Sequence, residues 1–197
     1  MKVEIDKTYP MPCSSEIAWE FLQDVEAVAG CMPGAKITER LDAGHYKGTV
    51  TVKVGPATMS FRGDVEMHDV DPAARTLRLL GKGTDKTGTS GASMNLTARI
   101  ETAEQDDQCT LVGASEVSMS GKAAAFGGRM MNAVADKILN QFAANFADRV
   151  SERQAQRTTP AAASVASPPV SGELDGIALV WTIFKDWLRG LFSKKTT

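Results

Sequence analysis

At Gly121 the apolar pattern of this chain changes period, and that change limits the folds open to it. Upstream, apolar residues alternate with polar ones. The runs are Val50, Val52 and Val54, then Met59, Phe61, Val65 and Met67, then Leu77 and Leu79. Met94, Leu96, Ala98 and Ile100 follow, and Leu111, Val117 and Met119 continue the pattern. Such alternation marks antiparallel strands with one wet and one dry face. Downstream, Ala125, Phe126, Met130, Val134, Ile138, Leu139, Phe142, Phe146 and Val150 recur at helical spacing, with Ser120 as a candidate N-cap. A sheet with one apolar face needs a cover, and a long helix directly after it supplies one.

The N-terminal part completes the order. Val3, Ile5 and Lys7 alternate with Glu4, Asp6 and Thr8, and Pro10 and Pro12 end this first strand. Ser14 or Ser15 can cap a helix carrying Ile17, Ala18, Phe21, Leu22 and Val25. A second helical piece, Val25 to Ala29, runs into a turn enforced by Gly30, Pro33 and Gly34. Gly55-Pro56 and Asp71-Pro72 are further turns, and the acidic stretch Glu104 to Asp107 is a hairpin tip. The expected fold is α+β: an antiparallel sheet of about seven strands with its apolar face covered by a long C-terminal helix.

Composition shifts near Thr158. Residues 158–173 are almost wholly Ala, Ser, Thr, Pro, Val and Gly, without aromatic side chains, and are expected to form a flexible linker. Residues 1–157 then form the domain and residues 174–197 a tail. On a helix the tail gathers Ile177, Val180, Trp181, Phe184, Trp187, Leu188 and Leu191 on one stripe, opposite Thr182, Lys185, Asp186, Arg189 and Ser193. Its longest uncharged run, Gly176 to Phe184, falls far short of the roughly 20 residues needed to span a bilayer. An amphipathic helix lying in the membrane interface is expected, with Trp181, Phe184, Trp187, Leu188, Leu191 and Phe192 inserted and Lys185 and Arg189 on the headgroups. Docking back on the domain or in a protein groove is the competing arrangement.

Net charge is -2, which argues against nucleic acid as a main partner. The start, Met1 to Asp6, has no apolar run of the secretory kind, and the three cysteines, Cys13, Cys31 and Cys109, lie far apart. A cytoplasmic protein with buried thiols and no metal site is expected.

Several short motifs carry a family resemblance. They are Ala18-Trp19-Glu20-Phe21-Leu22, Cys31-Met32-Pro33-Gly34-Ala35, Tyr46-Lys47-Gly48, Lys53-Val54-Gly55-Pro56 and Phe61-Arg62-Gly63. Gly81-Lys82-Gly83, Gly121-Lys122-Ala123-Ala124, Phe126-Gly127 and Gln141-Phe142 follow. Together they resemble the CoxG family of carbon monoxide dehydrogenase accessory proteins, a branch of the START-like (SRPBCC) helix-grip superfamily. The resemblance implies a curved sheet gripping a long helix around an apolar cavity. It also implies an accessory protein that binds a quinone (menaquinone or ubiquinone), partners a molybdenum-containing carbon monoxide dehydrogenase, and sits peripherally on the inner face of the cell membrane.

The residues themselves offer candidates for such a cavity. Met59, Met67, Met94, Met119, Met130 and Met131 fall on inward strand positions or early in the long helix. Thioethers adapt to irregular guests, and they fill ordinary cores as well. The expected wall comprises Val52, Met59, Phe61, Leu79, Met94, Leu96, Met119, Phe126, Met130 and Val134. Ser115, Ser118, Tyr46, Lys82 and Arg129 are unranked polar candidates for holding a carbonyl. Gly127 and Gly128 are expected inside the helix, where a close approach to the sheet or a thin, ligand-admitting wall would account for them.

No catalytic pattern emerges. His45 and His68 show no ligand spacing, and there is no nucleophile elbow, P-loop or dinucleotide turn. A non-enzyme is expected. A tethering adaptor without ligand, or a START-like cyclase or hydrolase with polar groups inside the cavity, are the other readings.

Overall fold

The computed structural model describes residues 1–158. The expected linker beyond Thr158 and the expected tail helix lie outside the described residues. The chain runs β1 (Lys2–Met11), α1 (Ser15–Leu22), α2 (Val25–Cys31), β2 (Ala35–Arg40), β3 (His45–Val54), β4 (Ala57–Asp71), β5 (Thr76–Asp85), β6 (Ser90–Thr102), β7 (Cys109–Gly121) and α3 (Gly128–Thr158). All strand pairs are antiparallel, in one seven-stranded sheet ordered β1-β7-β6-β5-β4-β3-β2.

Each element has a local cause. Ser14 Oγ accepts from the Ile17 amide at the start of α1, and Asp24 Oδ1 accepts from the Ala27 amide at the start of α2. Glycine turns the chain where no other residue fits easily. At Gly121 the backbone has a φ of 66°, and an added Cβ would stand 1.9 Å from the Thr89 carbonyl oxygen. β2 carries only Ala35 and Ile37 as partly covered apolar residues, so its pattern is weak, as suits a strand at the sheet edge.

Register fixes which face is which. Val3, Ile5, Lys7, Tyr9 and Met11 of β1 stand opposite Val117, Ser115, Gly113, Leu111 and Cys109 of β7. The row continues into β6 with Met94, Leu96, Ala98 and Ile100, and into β5 with Gly81, Leu79 and Leu77. Lys7 pairs with Asp136 of α3, so this row faces the helix. The opposite face carries ion pairs such as Lys2–Glu116, Arg78–Asp69 and Arg99–Glu101.

The interior divides into two clusters. The larger joins α1, α2 and the C-terminal half of α3 to the sheet through Met11, Ile17, Phe21, Leu77, Ile100, Leu111, Phe146 and Val150, all buried. Phe21 meets Phe146 edge to face at 4.8 Å between centroids. Asn145 Nδ2 donates to the Cys31 carbonyl at 2.8 Å, and Arg157 pairs with Glu20. The smaller cluster centres on Val3, Val54 and Met131, with Ile5, Val52, Met59, Met119, Phe126 and Val134 packed around it.

The connection into α3 differs from the expectation. Lys122–Phe126 form a 3-10 helix, Gly127 turns the chain with a φ of 77°, and α3 begins only at Gly128. Gly127 and Gly128 are therefore not in a helix interior. An added Cβ at either would meet nothing within 4 Å, so no close approach to the sheet requires them.

Candidate functional site

Between the two clusters the inward face of the sheet is not closed. α3 makes its main sheet contacts with β1 and β3, and stands further from the middle strands β4, β5 and β6. Beneath it, Val65, Leu79, Met94, Leu96 and Val117 point inward yet are only half-buried. Ile138 and Leu139 of α3 are likewise half-buried. Glycines deepen this gap. Gly48, Gly63, Gly81 and Gly113 occupy inward positions on four strands, but at Gly48 and Gly63 a Cβ would meet a neighbouring carbonyl oxygen at 3.0 and 1.9 Å, so Gly81 and Gly113 are the two that leave side-chain space. Only ordinary contacts await a Cβ at Gly81 and Gly113, the nearest atoms being Met94 Cε at 3.6 Å and Leu96 Cδ1 at 3.7 Å. These partly exposed apolar residues mark a candidate hollow beneath α3, between two regions of packed side chains.

The expected wall residues divide between these regions. Val52, Met59, Met119, Phe126 and Val134 come together in the smaller cluster at one end. Leu79 and Leu96 border the larger core, Phe61 is buried, and Met94 belongs to neither cluster. Met130 is a correction: it is 42% exposed, and Met131 takes the buried position beside it. The break at Gly127 resets the helical phase, so counting from Phe126 misplaces the inward residue by one.

The polar candidates separate as clearly. Ser115 faces inward, paired across the sheet with Ile5 on one side and Leu96 on the other. Its Oγ is buried and has no hydrogen-bond partner. Tyr46 is inward and buried, but its hydroxyl already donates to the Ala43 carbonyl at 3.3 Å. Ser118 and Lys82 fall on the outer face, where they line a groove of about 550 Å3 with Arg62, Asp64, Ser93 and Ser120. Arg129 is exposed at the start of α3. Of the five, Ser115 is the one whose inward side-chain oxygen is buried without a partner.

A polar seam runs along one side of it. Lys7 Nζ lies 2.8 Å from Asp136 Oδ1, and the Tyr9 hydroxyl donates to Asn140 Oδ1 at 3.2 Å, both joining β1 to α3. The hydrogen bond to Asp136 raises the Lys7 pKa, and burial raises that of Tyr9. The alternation already sets Lys7 in phase with Val3 and Ile5, a signal that a cation faces the helix; its partner on α3 cannot be read from spacing.

The remaining titratable groups stand apart. His45 Nε2 faces Asp64 and Glu66 at 3.7 and 3.8 Å, and His68 Nε2 lies 3.0 Å from Glu66, all on the outer face. The three cysteines are buried. Cys13 and Cys109 approach to 3.9 Å, and their hydrogen bond together with burial holds the Cys13 thiol far above its ordinary range. Burial likewise raises Cys31. Among the described residues no group of three or more His, Cys, Asp or Glu could hold a metal ion, and no helix is long and apolar enough to cross a membrane.

The sequence profile of CoxG, a component of carbon monoxide dehydrogenase, matches residues 11–151. The chain belongs to the CoxG family. No curated protein matches it. Among solved structures, a conserved protein from Geobacillus kaustophilus superposes with a TM-score of 0.68 at 19% identity, covering 76% of this chain and 96% of that one. The ZhuI aromatase/cyclase from Streptomyces sp. R1128 gives 0.56 at 18% identity, with coverage of 78% and 96%. A START superfamily protein from Mycobacterium smegmatis gives 0.53 at 16% identity, with coverage of 76% and 98%. At these identities the likeness is one of fold: this CoxG chain has a START-like fold. The same fold hosts enzymes and non-enzymes, so function rests on the site.

Proposed function

We propose that this CoxG protein is a non-catalytic accessory protein of a molybdenum-containing carbon monoxide dehydrogenase, binding an apolar quinone-like lipid beneath α3. The observation that carries the reading is the half-buried inward residues Val65, Met94 and Val117, which belong to neither packed cluster. An apolar interior normally closes on itself at crystal-like density. A hollow left wider by Gly81 and Gly113 favours a guest of matching chemistry. The family supports the dehydrogenase as partner. Residues 174–197 would link the complex to the inner face of the cell membrane as an interfacial helix. Both histidines lie on the face away from the hollow, and its one inward lysine is paired with Asp136, which favours binding over acid–base chemistry within it.

Extraction of the purified full chain into organic solvent, followed by mass spectrometry, tests the reading. A stoichiometric quinone or similar prenyl lipid is the expected result. Protein that emerges without lipid, and takes none up from a quinone-loaded vesicle, would overturn it in favour of a tethering adaptor.

A further inference from the structure

The outer face of the sheet, turned away from α3, carries a recess of its own. The groove of about 550 Å3 crosses β4 to β7 between two rows of outward side chains. Arg62 and Ser120 stand in one row, and Asp64, Lys82, Ser93 and Ser118 in the other. On the same face Lys2, Lys47, Arg78 and Arg99 are each held by a carboxylate. Arg62 and Lys82 have no ion pair or hydrogen bond among the described residues. Lys82 lies directly across from Asp64, yet Asp64 Oδ1 faces His45 Nε2 at 3.7 Å instead. Arg62 and Lys82 are diagonal neighbours on adjacent strands, within reach of one another for two long side chains. The other end of the groove holds hydroxyls. Ser93 and Ser118 pair directly across β6 and β7, and a Cβ at Gly91 would stand 2.9 Å from Ser120 Oγ, which leans over that glycine. None of these three hydroxyls has a hydrogen-bond partner among the described residues.

We infer that the outer groove binds a phosphate ester of a small polyol, with the phosphate between Arg62 and Lys82 and the hydroxyls over Asp64 and the serines. The site is separate from the hollow and does not depend on a guest there. Two free cations against one acid favour an anion at the β4–β5 end, and a guanidinium fork beside an ammonium suits phosphate oxygens. Bare phosphate would meet repulsion from Asp64 and leave Ser118 unreached, two strands and roughly 10 Å from Lys82. A hydroxylated body spans that distance: its hydroxyls donate to the carboxylate and exchange hydrogen bonds with the serines. Among the described residues no aromatic side chain lines the groove, so a nucleotide base would find nothing to stack on. A lipid headgroup and a free ester share this chemistry.

Glycerol phosphate, inorganic phosphate and glycerol, titrated at constant ionic strength into isotope-labelled full-length protein and followed by amide chemical shifts, test the site. Glycerol phosphate should give saturable shifts confined to residues 62–64, 82–84, 91–93 and 118–120, and should bind more tightly than either of the other two. Lys82→Gln should weaken it roughly tenfold, with shifts elsewhere unchanged, and Asp64→Asn should narrow its margin over inorganic phosphate. Equal binding of ester and phosphate would reduce the groove to an anion-attracting face and overturn the polyol assignment. Absence of saturable shifts in the groove, or binding indifferent to Lys82→Gln, would overturn the site. Flotation of the full chain with phosphatidylglycerol and phosphatidylserine vesicles of equal charge separates the two sources, because wild type and variant carry the same tail. A preference for phosphatidylglycerol that Lys82→Gln abolishes assigns the ester to a headgroup, and equal flotation beside saturable glycerol phosphate binding assigns it to a solute.

Discussion

Lys7 on β1 reaches Asp136 on α3, with Nζ 2.8 Å from Oδ1, and so ties one flank of the sheet to the helix that covers it. The hydrogen bond to Asp136 raises the Lys7 pKa above the ordinary lysine value of 10.5. A cation whose pKa rises on folding adds stability in full below its unfolded value and loses it as pH climbs through the folded one. Asp136→Asn should therefore lower Tm modestly at about pH 8, and the deficit should shrink as pH climbs past 10.5 and Lys7 deprotonates. Thermal melts of both proteins across that range check the sign. A deficit that grows with pH would mean that Asp136 stabilises the fold by another route.

Packing differs sharply between core and hollow, and paired truncations should expose it. Leu77 is fully buried in the larger cluster, whereas Met94 is half-buried in the gap. Leu77→Ala should cost about 2–5 kcal/mol in urea unfolding, as expected for a cavity cut into close packing. Met94→Ala in lipid-stripped protein should cost clearly less, about 1 kcal/mol or below, because much of its contact is already missing. Equal losses would indicate an interior packed solid around Met94.

The inward glycines divide into two kinds. A Cβ at Gly63 would stand 1.9 Å from the Lys82 carbonyl oxygen, so Gly63→Ala should severely destabilise the sheet. At Gly113 the nearest atom is Leu96 Cδ1 at 3.7 Å, so a side chain there can enter the hollow without displacing backbone. Gly113→Val should keep the fold, with Tm within a few degrees of wild type, and abolish lipid uptake from vesicles. Undiminished uptake would place the guest elsewhere.

Much of this architecture is legible in the residues, and the exceptions have physical causes. Strand alternation has a period of two and survives over ten or more residues in β6 and β7, so Met94, Leu96 and Met119 can be placed on the inward face from their spacing. The helix phase cannot be carried across Lys122–Phe126, because a 3-10 helix and the positive φ of Gly127 break the count; that is why Met131, not Met130, faces inward. Ser118 sits between the inward Val117 and Met119, so the alternation itself assigns it to the outer face. The solitude of Ser115 is different. Whether a hydroxyl finds a partner depends on groups from β1, β6 and α3 that meet only in three dimensions.

Removing that hydroxyl should be visible without any ligand. In lipid-stripped protein, Ser115→Ala replaces an unpaired buried polar group with a methyl. It should raise stability by about 1 kcal/mol, in contrast to the loss that follows removal of a hydrogen-bonded serine. Urea denaturation of the two proteins decides it. A loss of similar size would show that Ser115 is satisfied from within the fold.

The proposed membrane link, assigned to residues 174–197, can be tested apart from the domain. Residues 174–197 carry Trp181, Phe184, Trp187, Leu188 and Leu191 at helical spacing, with Lys185 and Arg189 opposite. Each basic residue near an anionic surface adds roughly 1 kcal/mol, and partial burial of several large side chains adds to it. Deleting residues 173–197 should abolish flotation with anionic liposomes while leaving the melting temperature and lipid content of the domain unchanged. Raising ionic strength should weaken flotation of the full chain only in part, since the apolar share is insensitive to screening. Flotation that survives the deletion would assign membrane contact to the domain and remove the tail from the account.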